Sequence, residues 1–298
     1  MSNEVDITII GGEQDFNLIR LATYVSNNTE LKLNLILFGE NENHSFHYDL
    51  INKQLIFNDK ELKSTSAYIR KDIFRQSATG KSNDEQVSQN WYEAFCAWIC
   101  GDESIRVLNK KLLGNFKLNK SRSLFLAEKL GLNIPETYIS NSTKYVNQVL
   151  DQKGLIYKPL GGGKHTKELK DKFDPKTYQT EIFVDPYFFQ ERLEYPELRI
   201  FYINGELISY QIYSSELDYR DNRHLAKIEE IETPSDIASK LQKLNLELDL
   251  DYSASDLKFC PKLKTYKFLE INSNTMFNSF DKVSKHKISK AMIKTLVG

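Results

Sequence analysis

The sequence predicts an α+β fold preceded by a small α/β unit, and three observations predict it. The first hundred residues alternate apolar, β-branched runs with amphipathic stretches, the grammar of strands and helices that share one sheet. From about residue 115 the chain changes to strand after strand, with a hairpin signal at Asn204-Gly205, which is antiparallel grammar. A length of 298 residues, with 40% hydrophobic and 27% charged side chains, supports a sizeable core and is too apolar for a disordered chain.

Taken in order, Val5–Gly12 (VDITIIGG) reads as a buried strand closed by glycines, FNLIRLATYV as a helix, and Leu31–Phe38 as a second strand. KQLIFNDKELK reads as a hairpin turning at Asn58-Asp59, and SAYIRK as another strand. Glu85–Ile99 reads as an aromatic-rich helix after the polar loop Thr79–Glu85. Leu118–Leu130 is a helix ended by Gly131, with Pro135 in the turn beyond. Strands LIYKP, EIFV, YFFQERL, LRIFYING and ELISYQIY follow, then a helix over Ser235–Leu244. Strands Ser253–Phe259 and Thr265–Ile271 come next, and a closing helix after Asp281. The change of pattern divides the chain near residue 115, into 1–115 and 116–298.

Charge and motifs exclude several classes. With 40 basic against 41 acidic side chains the net charge is −1, so no global field recruits nucleic acid or an anionic membrane, although a local basic pocket stays compatible. No run approaches the roughly eighteen apolar residues of a membrane span, and the first residues lack a secretory pattern, so a cytoplasmic location is expected. Cys96, Cys100 and Cys260 are too few for a disulfide framework; Cys96 and Cys100, four apart, read as reduced core thiols on one helix face. GGEQD does not continue as a dinucleotide fingerprint, and Gly80-Lys81-Ser82 lacks the P-loop glycine, its place being taken by Arg75. The serine-hydrolase elbow, the zinc-protease helix and the kinase signatures are absent from the sequence.

The chemistry concentrates near the C-terminus. Glu270 and Asn272 in KFLEINSN are two apart on a strand and so share a face. If the strand carrying Asp256 pairs beside them, two carboxylates and an amide oxygen converge, a set suited to Mg²⁺ with phosphate oxygens as further ligands; a solvated polar strand face accounts for the same letters. Lys158 precedes the turn Gly161, Gly162, Gly163, whose backbone N–H groups suit phosphate. Lys120 begins a helix, where a cation opposes the macrodipole and wants an anionic partner. Arg199, and Arg220 with Asn222 two residues on, supply guanidinium donors for a phosphoryl group, or equally for surface ion pairs with nearby acids.

The ordered set Lys120 in LNKSRSLFLAEKLGLNIPET, Lys158 in IYKP, QERL at 190–193, ELR at 197–199, DYRDN at 218–222, Asp256 and FLEINSN resembles the ATP-grasp carboxylate–amine ligases. It spans about 116–298. DYRDN is similar to a loop of RimK-like ligases, and the helix together with ELRIFYINGELIS is most similar to the microviridin-type (graspetide) maturases of ribosomal peptides. SAYIRKDIF resembles an arginine-bearing strand of those maturases. EYPELR departs from the family, which more often carries a glycine before the arginine segment.

The resemblance implies two α+β lobes, about 116–189 and 190–298, clasping ATP behind a small α/β pre-ATP-grasp domain at 1–115. It implies that Lys120 and Lys158 meet the α- and β-phosphates beneath a flap at Gly161–Gly163. Adenine would lie on the backbone of Glu191, Arg192 and Leu193, led by Gln190, with Glu194 or Glu197 near the ribose. Asp256, Glu270 and Asn272 would hold Mg²⁺, as one ion or two, and Arg199, Arg220 and Asn222 would face the transferring phosphoryl group. The implied activity is an ADP-forming ligase that joins Asp or Glu side chains of a precursor peptide to Thr or Ser hydroxyls or Lys amines, with a leader segment as its handle and a homodimer as its assembly. A RimK-like amino-acid ligase and a non-catalytic ATP-binding module are the alternatives.

Overall fold

The computed structural model describes residues 4–39, 44–75, 84–114, 118–142, 144, 155–160, 166–168, 182–219 and 226–298. Gly161–Gly163, Arg220 and Asn222 lie outside the described residues, as does most of the polar loop before residue 84.

The N-terminal part is a parallel sheet in the order β2 (Leu33–Phe38), β1 (Glu4–Gly12), β6 (Lys63–Ile69), β7 (Arg106–Val107). Helices α1 (Phe16–Asn28) and α2 (Asp84–Gly101) pack beside it. The central strand reads apolar throughout because both of its faces are covered: Ile7 and Ile9 enter one core and Ile10 another, which includes Phe95, Trp98 and Ile99 of α2. A three-stranded antiparallel ribbon, β3 (Phe46–Asp49), β4 (Gln54–Phe57) and β5 (Lys60–Glu61), is inserted there. Its turn at Asn58-Asp59 has positive φ at both residues, as the expected hairpin requires.

Beyond it, α3 (Lys120–Lys129) is capped by the Asn119 side chain, which accepts from the Arg122 N–H. It ends at Gly131, whose φ of +81° only glycine adopts readily. A four-stranded sheet runs β10 (Lys167–Glu168), β9 (Leu155–Pro159), β11 (Ile182–Glu191), β8 (Thr137–Ser142). The runs EIFV and YFFQERL, expected as two strands, form the single strand β11, whose pairing with β8 is irregular between Ile182 and Tyr187. The largest sheet is antiparallel: β14 (Lys227–Ile231), β13 (Glu206–Tyr213), β12 (Glu194–Ile203), β15 (Tyr252–Cys260), β16 (Thr265–Asn272). Asn204-Gly205 turns β12 into β13, as expected.

Both faces of this sheet are used. Leu198, Ile200, Leu257, Phe268 and Ile271 join α3 and α4 (Ser235–Glu247) in one core. Phe201, Ile203, Tyr210 and Ala254 point the other way, into a core shared with β1, α1, α5 (Asn278–Val283) and α6 (Lys287–Val297). The single closing helix expected after Asp281 is two helices, because Lys285 and His286 both take positive φ between them. Of the two cysteines expected as core thiols, Cys96 is buried but Cys100 is exposed: it sits in the last turn of α2, off the packed stripe; Cys260 is also buried. Burial pushes the Cys96 thiol up to about 12, which leaves it unreactive. Among the described residues no helix is long and apolar enough to cross a membrane.

Candidate active site

Residues directly opposite in adjacent antiparallel strands point to the same face. Arg199 pairs with Asp256, and Asp256 pairs with Glu270, so three charged side chains form a row across β12, β15 and β16. Asn272 lies two residues beyond Glu270 on the same face and donates to its carboxylate at 3.2 Å. The condition set by the sequence is therefore met: the Asp256 strand does pair beside Glu270.

One strand step away lies a second row, Glu197, Lys258 and Lys267. Lys267 and Glu270 are three apart, which in a regular strand puts them on opposite faces. An extra residue, Leu269, bulges out of the pairing and brings both onto the face of the row.

Apart from Lys267, the residues of these rows floor a cavity of about 790 Å³. Its other walls are Ile156 and Lys158 on β9, the strand end Glu191–Leu193, Lys120 at the start of α3, the segment 217–219, and the loop after β16. From the N-terminal part come Gln14, Phe16, Asn17 and Phe74. Among the described residues, five cationic side chains and five carboxylates line it, so positive and negative charge meet here in a small space.

The charges are arranged in pairs. Arg199 places one terminal nitrogen between the two oxygens of Asp256, at 3.0 and 3.2 Å, and donates with the other to the Thr275 hydroxyl. Its guanidinium carbon is 5.3 Å from the Phe280 ring centre. Lys120 meets Glu270 at 3.1 Å, which supplies the anionic partner its helix position asked for. Burial pushes the Glu270 carboxyl up, but the Lys120 and Lys158 ammonium groups and the Asn272 amide outweigh it and hold the group at about 2. Burial also holds Lys158 below the usual lysine range, against the pull of Glu270.

Glu197 behaves differently. Burial first, and then the Asp256 carboxylate, push it up to about 7 against the pull of Lys258 and Arg199. Lys258 donates to the Leu217 carbonyl at 3.1 Å and lies 3.9 Å from the centre of the Tyr195 ring, so it ties β15 to the segment that precedes Arg220.

At the cavity edge Glu191 is fixed on three sides. Its carboxylate accepts from Lys267 and from the Glu136 N–H at 2.9 Å, and its own N–H donates to the Glu136 carbonyl at 3.0 Å. Gln190 is buried and donates to the Thr137 hydroxyl at 3.0 Å, so its side chain holds β8 and not the cavity wall. Arg192 pairs with Glu168 on β10, and Leu193 is buried at the cavity edge. Lys120, Lys158, Glu191–Leu193, Glu197, Arg199, Asp256, Glu270 and Asn272 thus share one cavity. Lys258, Lys267 and Thr275 were not singled out by the sequence.

No family model matches the sequence, and no curated protein does. Solved structures match over nearly the whole chain. The ATP-grasp ligase PsnB, in complex with a phosphomimetic variant of a minimal precursor, Mg and ADP, is similar at a TM-score of 0.74 and 19% identity, over 97% of this chain and 98% of that one. The chain has the ATP-grasp fold. A second ATP-grasp structure, the RiPP-associated ligase of Chryseobacterium gregarium in complex with ADP and a leader and core peptide, gives 0.73 and 20%, over 99% and 96%. Macrocyclase MdnC of Microcystis aeruginosa MRC, bound with precursor peptide MdnA, gives 0.71 and 20%, over 98% of each chain.

Proposed function

We propose that this chain is an ADP-forming ligase that activates Asp or Glu side chains of a ribosomal precursor peptide and closes them onto Thr or Ser hydroxyls or Lys amines. One observation carries the reading: in an ATP-grasp fold, one cavity opposes Lys120 and Lys158 to the row Asp256, Glu270 and Asn272. The peptide substrate is drawn from the likeness to proteins solved with precursor peptides.

The donor set fits Mg²⁺. Two carboxylates and an amide oxygen on one face are hard oxygen ligands. Such a set leaves coordination positions open for water and phosphate oxygens, as Mg²⁺ prefers, and among the described residues no group of three or more His, Cys, Asp or Glu side chains gathers to hold a metal by itself. Asp256, Glu270 and Asn272 would hold the ion, which when bound supplies divalent charge against the phosphate oxygens. Lys120 and Lys158 would bind the α- and β-phosphates, releasing Glu270 from its present ion pair. The backbone of Glu191–Leu193 would receive adenine, and Glu197 the ribose. Arg199, with Arg220 and Asn222, would orient and neutralise the phosphoryl group in flight.

In the reaction a substrate carboxylate oxygen bonds to the γ-phosphorus while the bond to the β,γ-bridging oxygen breaks and ADP leaves. A hydroxyl or amine then attacks the acyl carbon, loses its proton, and expels inorganic phosphate. In this reading residues 1–115 offer the peptide to residues 116–298, and the chain works as a cytoplasmic homodimer. The test is intact-mass analysis of candidate precursor peptides incubated with the protein, ATP and Mg²⁺. Loss of one water per bond, matched by ADP, is the expected result; a gain of one amino-acid residue identifies an amino-acid ligase instead, and ATP binding without ADP release a non-catalytic module.

A further inference from the structure

The loop that follows Asn272 carries Thr275, the hydroxyl on Arg199, and it is held from the N-terminal part of the chain. Arg70, at the end of β6 and 2% exposed, donates its Nη1 to the Thr275 carbonyl at 2.8 Å and its Nε to Asp15 at 2.6 Å. Asp15 caps α1 by accepting from the Asn17 N–H at 2.9 Å, and accepts again from the Asn17 amide at 2.6 Å. That amide, so oriented, turns its oxygen to the Phe277 and Asn278 N–H groups, both at 2.8 Å. Asn109 adds a bond from its side-chain amide to the Ser273 carbonyl at 3.1 Å. Asp15, Asn17, Arg70 and Thr275 are all buried. A Cβ at Gly11 would come within 2.9 Å of the Arg70 carbonyl oxygen, so a glycine there lets β1 and the end of β6 approach closely.

We infer that Arg70, with Asp15 and Asn17, is a positioning device for the reaction: it fixes loop 273–278 from the N-terminal part and thereby sets Thr275 against Arg199. Two features of the chemistry carry this. The guanidinium fork serves Asp15 and the Thr275 carbonyl at once from nitrogens in fixed relation, which a lysine ammonium on a flexible stem does not reproduce. Thr275 is reached on both sides, by Arg70 through its carbonyl and by Arg199 through its hydroxyl, so a shift of the loop is passed to the row that holds Asp256. The catalytic consequence rests on the ligase reading; the clamp itself does not.

The test therefore has two readouts. Hydrogen exchange on the full chain follows the Phe277 and Asn278 amides: in Asn17→Ala and in Arg70→Lys these should exchange faster than in the native chain, while strands β12 and β15 keep native protection. Unchanged exchange at 277–278 overturns the clamp whatever reaction the protein catalyses. Steady-state kinetics with ATP, Mg²⁺ and peptide then ask whether the clamp serves catalysis. Arg70→Lys should lower kcat by roughly 10- to 100-fold with little change in KM for ATP, and combining it with Thr275→Val should add no further loss, because both break one chain of contacts. Full kcat in Arg70→Lys, or losses that multiply in the double variant, overturn the positioning role. A native chain that turns over no ATP with any peptide overturns the ligase reading, and the exchange result still decides the clamp.

Discussion

Single residues in the cavity differ in what they stand to lose. Glu270 lies between Lys120 and Lys158 and is kept ionised by them, so Glu270→Gln removes the carboxylate proposed to hold Mg²⁺ and leaves two ammonium groups facing each other across a neutral amide. Loss of one well-placed charge-stabilising group costs about a hundredfold or more in rate. Peptide-dependent ADP release in Glu270→Gln should fall by at least that much with far-UV circular dichroism unchanged. Glu197 gives a pH prediction of the opposite kind. Its folded value of about 7 lies above the ordinary 4.5, so between those values the native state binds a proton that the unfolded chain does not. The stability contributed by the neutral carboxyl is complete below 4.5 and is lost as pH rises through about 7. Relative to Glu197→Gln, the native chain should lose roughly 1–3 kcal/mol in urea unfolding between about pH 5 and pH 8. A flat difference would mean that Lys258, 3.7 Å away, keeps Glu197 ionised throughout.

At the scale of elements, what the sequence made legible is what local chemistry decides. The turns at Asn58-Asp59 and Asn204-Gly205 and the helix stop at Gly131 follow from positive φ, and the structure has positive φ at all five of these residues. The alternation rule put Glu270 and Asn272 on one face, and applied to Asp256 or Arg199 it also reaches Lys258 and Glu197, two residues away on their strands. Lys267 was out of reach, since the bulge at Leu269 reverses its side and no local pattern announces a bulge. The contributions of Gln14, Asn17 and Phe74 were hidden for another reason: they come from loops and helix starts whose approach to β16 is a tertiary event. Lys267 shows what the bulge accomplishes. It carries the β16 ammonium to Glu191, at the strand end where adenine would rest, and so couples the acid row to the nucleotide edge. Lys267→Met leaves that carboxylate with the Glu136 N–H alone, and a hydrogen bond to a charged group is worth about 1.5–3 kcal/mol. The expected outcome is a KM for ATP raised about tenfold or more with kcat changed far less, measured at saturating peptide.

For the whole molecule, the decisive fact is that its largest core crosses the boundary drawn in the sequence near residue 115. Ile7, Ile9, Leu18 and Leu21 of the N-terminal part pack in the same cluster as Phe201, Tyr210, Phe277, Ile288 and Met292. Asn109 adds a buried polar seam, bonding the Tyr252 carbonyl at 2.7 Å and the Asp251 and Tyr252 N–H groups at 3.0 Å. Units that share a core of this kind lose it together, because unfolding either one exposes the apolar face of the other. The chain carries its own reporters for this, since both tryptophans, Trp91 and Trp98, lie on α2, whereas far-UV circular dichroism reads every sheet. Tryptophan fluorescence and circular dichroism should therefore give one coincident thermal transition. A non-hydrolysable ATP analogue with Mg²⁺, at about a hundredfold its Kd, should add about 2.7 kcal/mol and move both midpoints together, although the nucleotide would bind mainly on residues 116–298. Two separated transitions, or a circular dichroism midpoint that moves while the fluorescence midpoint stays, would show that the shared core and the Arg70 clamp do not bind the two parts into one cooperative unit.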